Sequence, residues 1–210
     1  MPVVVVKQPF LKRLIDVTIA TIGLVLSSPL SLLISIAIKA EDGGPIFYSQ
    51  KRWGRGGRPF RLLKFRTMHE FSDRDHGIKG ATEIDDRITR VGRLLRATGM
   101  DEIPQFIHIL KGDMSFVGPR ALAIGEVLTD ESGEVTAYEK IPGFLERLAV
   151  RPGLTGMAAI YIPRDSPPLE KLEYDLRYIE DQSVWLDIKL IALSLWISVR
   201  GNWETRQSKF

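Results

Sequence analysis

Two neighbouring carboxylates, Asp101 and Glu102, follow Gly99-Met100 and precede Pro104. Proline is tolerated in the first turn of a helix, where its missing N–H is not needed, and aspartate is a favoured N-cap. The spacing predicts a helix capped by Asp101, running through Gln105 and Ile109 to Lys111 and stopped by Gly112. A helix start points free N–H groups and about half a positive charge outward, which holds anions. A carboxylate there stays ionised, and it is a competent covalent nucleophile. Glu102 is available to Mg²⁺, which takes one or two carboxylates together with phosphate oxygens. About one helix later, Gly118-Pro119-Arg120 forms a turn carrying a guanidinium. The pattern reads as a place where a carboxylate meets a phosphate. The pair alone has a plainer reading, a capping acid and a solvated neighbour, because capping acids are common.

Other anion-binding candidates lie on both sides. Arg151-Pro152-Gly153-Leu154-Thr155-Gly156 predicts a tight turn whose N–H groups and guanidinium grip an anion. Upstream, Lys51, Arg52, Arg55, Arg58, Arg61, Lys64 and Arg66 put seven cations in sixteen residues with no acid among them. They lie in and around β-prone runs, residues 46–50 and 60–67, separated by Gly and Pro. This predicts a β-hairpin with one buried and one cationic face. The cationic face suits a nucleotide diphosphate, anionic lipid head groups or nucleic acid; its plain alternative is a charge-protected edge strand. Nucleic acid is disfavoured by the net charge of only +3 and by the apolar segment nearby.

The positioning elements are mostly helical. Residues 70–83 read as a mobile polar loop. Residues 84–98 put Ile84, Ile88, Val91, Leu94 and Leu95 on one helical face and Arg87, Arg90, Arg93 and Arg96 on the rest. Arg96 is in reach of a phosphate, although surface solvation is its commoner role. Residues 121–149 read as helix and loop, with a turn at Pro142-Gly143 and a short helix from Phe144. A helix over 168–181 carries Tyr174, Asp175 and Tyr178. Residues 184–199 are apolar but hold Asp187 and Lys189, with Trp185 and Trp196 inside and Trp203 beyond. That pattern suits a helix on a membrane surface and equally a buried core helix.

Residues 14–38 form one long apolar stretch, enough for a helix to exceed a bilayer core of about 30 Å. It is too long for a signal-peptide core, and no A-x-A-like cleavage site follows. Lys12 and Arg13 at one end and Lys39 at the other leave orientation undecided by flanking charge. Ser27-Ser28-Pro29 sits mid-stretch. Pro29 cannot donate to Val25, the serines can rebond freed carbonyls, and a bend is expected there. Crossing the membrane and re-entering on the same side both fit these residues. Asp16 is expected to pair with Arg13 at the membrane edge or to snorkel. The absence of cysteine removes disulfides and thiolate chemistry, and His69, His76 and His108 are too widely spaced for a zinc site.

The ordered series of motifs resembles the bacterial sugar transferase family, the monotopic phosphoglycosyl transferases that start glycan assembly on a polyprenol carrier. It runs through Lys12, Arg13 and Asp16, Ser28-Pro29, Gly44-Pro45-Ile46-Phe47, Lys64 to Met68, Asp101 to Gln105, Leu110 to Arg120, Val150 to Gly156 and Tyr174 to Tyr178. Two departures are Ala121, where the family usually has a second proline, and Met157, where it usually continues with tryptophan. The resemblance implies a helix-rich α+β fold with a re-entrant anchor over 1–40, kinked at Ser28-Pro29, and a catalytic domain over 41–210 at the cytoplasmic face of the bacterial inner membrane. It implies transfer of a sugar 1-phosphate from a UDP-sugar to polyprenol phosphate through a covalent Asp101 phosphosugar, with Mg²⁺ on Glu102. Arg120 and Arg151 are expected at the phosphates, Lys64 or Arg66 at the nucleotide, and Asp175 at the metal or sugar. Membrane phospholipid is an expected partner, a homodimer remains open, and nucleic acid is not expected. A membrane-anchored Mg²⁺ phosphohydrolase and a non-catalytic lipid adaptor are the rival functions.

Overall fold

A computed structural model describes residues 3–69, 86–129, 135–163, 166–200 and 203. The expected polar loop at 70–83 lies outside them. The apolar stretch is one helix, α1 (Phe10–Asp42), ended by Gly43 in the left-handed conformation. It continues through Pro29. The carbonyl that Pro29 cannot serve, Val25, accepts instead from Ser28 Oγ at 2.8 Å. It is the one helix among the described residues long and apolar enough to cross a membrane.

Strands β1 (Phe47–Trp53) and β2 (Pro59–Phe65) form the expected antiparallel hairpin, Phe47 opposite Phe65 and Trp53 opposite Pro59. Its faces differ from the expected one apolar, one cationic. Alternation puts Tyr48, Gln50 and Arg52 on the side of Phe60, Leu62 and Lys64. That side packs on the segment carrying Asp101, so cations lie among the core-facing residues. On the other side Phe65 meets Ile34 and Ile38 of α1.

Helix α2 (Arg90–Thr98) starts later than its hydrophobic period suggests. Thr89 caps it by accepting from Gly92 N, while Ile88 bridges to Met68 as extended chain. Leu94, expected inside, is exposed, and Arg96, expected outside, is buried. Gly99, at φ 72°, ends α2 and starts a 3-10 turn, Met100–Gln105, which leads into α3 (Phe106–Lys111). Gly112 stops α3 as expected.

Beyond α3 the chain is β3 (Ser115–Val117), an unexpected hairpin of β4 (Val127–Thr129) and β5 (Val135–Ala137), α4 (Phe144–Arg147) and β6 (Gly153–Thr155). Helices α5 (Met157–Tyr161), α6 (Pro168–Glu180) and α7 (Val184–Arg200) complete it. The main core gathers Ile109, Met114, Phe116, Val117, Ile160 and Tyr178 against Leu190 and Ile197 of α7. The opposite side of α7 leaves Trp185 82% exposed, with Leu195 and Val199 also outward.

Both ends of α1 are built into this body. Lys12 is buried, paired with Asp187 at 2.7 Å and donating to Val117 O and Tyr178 Oη. Asp16 neither pairs with Arg13 nor snorkels: it is buried, accepting from Phe116 N at 2.9 Å and Ser115 Oγ at 3.1 Å. Arg13 caps α3 through Ile109 O and Leu110 O. At the far end Glu41 accepts from Arg90 N and Asp42 holds Arg66.

Candidate active site

Asp101 is the second residue of the 3-10 turn and not a helix cap; its segment starts at Gly99 with no side-chain cap. The reason is local. Gly99 must reverse the chain out of α2, and Pro104 then lies inside the tighter turn. With α3 only six residues long, a helix dipole contributes little, and the positive field comes from side chains. Asp101 is 6% exposed and Glu102, next to it, is half-buried. Lys64 Nζ lies 3.8 Å from Asp101 Oδ2 and over the Tyr48 ring.

The surrounding charges are mutually coupled. Burial pushes the Lys64 ammonium below the ordinary lysine range, Asp101 and Glu102 oppose that shift, and Arg96 and Arg52 add to it. Arg52 is likewise lowered by burial first and by Arg120 next, against Glu126, Tyr48 and Glu102. Arg52 Nη1 donates to Ala121 O at 2.8 Å and lies 3.8 Å from Glu126. Lys64 thus stands beside the two adjacent carboxylates, with Arg96 and Arg52 near it and Arg120 near Arg52. A basin with surplus positive charge around a carboxylate accepts a diphosphate without expelling the acid.

The other expected residues are elsewhere. Arg66 is buried, clasping Asp42 through both terminal nitrogens and donating to Pro45 O at 2.6 Å; it closes the end of α1. Arg151 donates to Gly112 O at 2.8 Å and Gln8 Oε1 at 2.7 Å, at the end of α3 away from Asp101. Asp175 is 2% exposed and bonded to Arg147 Nε at 2.7 Å, so it is no surface acid. Ser28 and Pro29 lie mid-way along α1. Arg120 is exposed, on the Arg52 side of the cluster.

The Arg151–Gly156 motif is not a turn. Gly153–Thr155 is strand β6, parallel to β3 with Ser115 opposite Gly153. A methyl on Gly118, Gly153 or Gly156 would overlap facing backbone, so the glycines permit the two motifs to meet main chain to main chain. Gly153 N donates to Pro119 O at 2.8 Å, fixing the approach to Arg120.

Arg52 has no role of its own in the sequence, although strand period and register would have put it in the Lys64 row. Arg96, in reach of a phosphate on its sequence position but expected to be solvated, is buried near Lys64. As to metal, no group of three or more His, Cys, Asp or Glu side chains stands ready among the described residues. Glu102 beside Asp101 supplies the one or two carboxylates that Mg²⁺ uses when phosphate oxygens and water complete its shell, so the residues fit.

The chain matches the bacterial sugar transferase family over residues 7–201. It is 40% identical over 190 residues to the Escherichia coli UDP-glucose:undecaprenyl-phosphate glucose-1-phosphate transferase, covering 88% of this chain and 39% of that protein. It is 39% identical over 186 residues to the Aeromonas hydrophila UDP-N-acetylgalactosamine-undecaprenyl-phosphate N-acetylgalactosaminephosphotransferase, covering 87% and 42%. With the Rhizobium leguminosarum bv. phaseoli exopolysaccharide production protein PSS it shares 34% over 186 residues, 86% of this chain and 91% of that protein. The chain thus spans about two fifths of the first two relatives, at 39% and 42% of their lengths. A match over residues 7–201, nearly the whole sequence, makes this chain a member of the bacterial sugar transferase family.

Proposed function

We propose that the chain transfers a sugar 1-phosphate from a UDP-sugar to polyprenol phosphate, releasing UMP. The observation that carries this is Asp101, buried beside Lys64 and next to Glu102, with Arg52 and Arg96 close to Lys64. The printed activities of the relatives point to the same reaction. Asp101 attacks the phosphorus bearing the sugar. The new bond is Asp101 Oδ to phosphorus; the bond to the UMP oxygen breaks, and UMP leaves with the electron pair. Lys64, Arg52 and Arg120 hold the phosphate oxygens. Glu102 would hold Mg²⁺, which when bound would supply neutralising charge for the phosphates. An oxygen of polyprenol phosphate then attacks the same phosphorus and releases the Asp101 carboxylate, giving the polyprenol diphosphate sugar.

Residues 1–40 serve as a re-entrant anchor, bent at Ser28-Pro29, and residues 41–210 as the catalytic part on the cytoplasmic face. Lys12, Asp16 and Ala20 at one end of α1 and Ile34, Ile38 and Asp42 at the other pack on one body, and Gly23 lies against the Phe106 ring. The stretch from 24 to 33 between those contacts is about 15 Å of helix at 1.5 Å per residue, short of a bilayer core of about 30 Å. Val25, Leu26, Leu32 and Leu33 in that stretch are exposed. The outward Trp185 and Val199 of α7 suit the same interface.

Membranes carrying the protein should turn over one of a panel of UDP-sugars to UMP only when polyprenol phosphate is present, with at most one UMP per site released without it. Release of sugar phosphate into water without the lipid would identify a phosphohydrolase instead. Asp101→Asn should abolish turnover and any radiolabelled sugar-phosphate adduct, and full activity in that variant would overturn the assignment. Glu102→Gln should lose activity and need more Mg²⁺.

A further inference from the structure

The reaction proposed above needs Arg120 held still, yet its side chain is exposed. Its main chain is gripped from several sides. Pro119 O accepts from Gly153 N, and Arg120 bridges to Gly153 in parallel. Arg147 Nη2 donates to Arg120 O at 2.7 Å, while Arg147 Nε donates to Asp175 Oδ2, also at 2.7 Å. The Arg120 carbonyl is therefore tied to a buried ion pair.

That pair is built at some cost. Arg147 is on α4 and Asp175 on α6, both almost fully buried. A buried ion pair is seldom a net stabiliser compared with apolar packing, because both charges lose their water. The fold could join α4 to α6 with leucines, as it does nearby, where Leu172 and Leu176 lie against Gly143 at the start of α4. What leucines cannot do is donate to the C=O of an exposed residue, as Arg147 does to Arg120.

We infer that Arg147 and Asp175 are positioning residues, a charged clamp that fixes the Arg120 peptide so that its guanidinium meets the phosphates in one orientation. The inference rests on the role given to Arg120 above. It replaces the expectation that Asp175 touches metal or sugar.

The test is a double-mutant cycle in detergent-solubilised full chain, measuring kcat and KM for the UDP-sugar by radiolabelled sugar-phosphate transfer. Asp175→Asn, near-isosteric, and Arg147→Lys, which keeps the charge but loses the fork, are each made alone and with Arg120→Ala. Melting curves confirm folding. Each clamp variant alone should lower kcat/KM by on the order of tenfold to a hundredfold, the cost of a small misplacement. In the Arg120→Ala background the same changes should cost almost nothing further. Undiminished extra loss in that background would overturn the clamp and leave the reaction standing. Full activity of Arg120→Ala by itself would instead remove Arg120 from the reaction, and the clamp with it. Should either clamp variant melt below assay temperature, the other carries the cycle.

Discussion

At the scale of the residue, the site depends on how Lys64 is charged. Its pKa is pushed down by burial, so the free site holds its proton less tightly than an exposed lysine would. A bound diphosphate favours the charged form and raises that pKa again. By linkage, nucleotide affinity is then fully present below the free-site pKa and falls as pH rises through it. Calorimetric titration of UMP or UDP-sugar should show this fall beginning below the usual lysine range. Lys64→Arg should move it upward, since a guanidinium keeps its proton. An affinity flat with pH in the native chain would remove Lys64 from the phosphates.

At the scale of the element, glycines set the site where two segments touch through main chain. The β3–β6 pairing needs Gly118, Gly153 and Gly156, and α2 can approach Thr67 only because residue 92 has no Cβ. Gly92→Ala would force a methyl against Thr67 O and displace the start of α2, including the Thr89 cap. Such overpacking costs about 1–3 kcal/mol, which a lowered melting temperature would register. Gly153→Ala should cost as much and also reduce turnover, because it shifts the strand against which Arg120 is set. A Gly153→Ala protein of native stability and rate would contradict that account of the ladder.

At the scale of the whole molecule, the apolar helix is part of the fold and not a detachable tether. Lys12 and Asp187 join its start to α7 through a fully buried pair. Removing one partner alone should cost about 3–5 kcal/mol, while replacing both with apolar residues should restore most of it. Denaturation of Lys12→Met, Asp187→Leu and the double variant in detergent measures this. Membrane topology is tested by single cysteines at Lys7 and Ser49, on either side of α1, since the chain contains no cysteine of its own. A re-entrant helix leaves both sites shielded from an impermeant maleimide in intact cells and both reactive after permeabilisation. Labelling of one site alone in intact cells would show that α1 crosses.

Much of this molecule is decided by local sequence. The length and apolarity of α1, the hairpin at 47–65, the Gly112 stop and the two C-terminal helices follow from hydrophobic period and from Gly and Pro, whose effects act within a few residues. The ordered motifs also fix the family. Tertiary structure alone decides where the charges go. Arg66 and Arg151 carry the same guanidinium as Arg52 and Arg96, yet the first two close helix ends while the latter two lie near Lys64. Asp16 and Asp175 look like surface acids in one dimension and are buried in three. A charged side chain has no periodic preference of its own. Its place is set by partners a hundred residues away, such as Val117 and Asp187 for Lys12, and those exist only once the chain has folded.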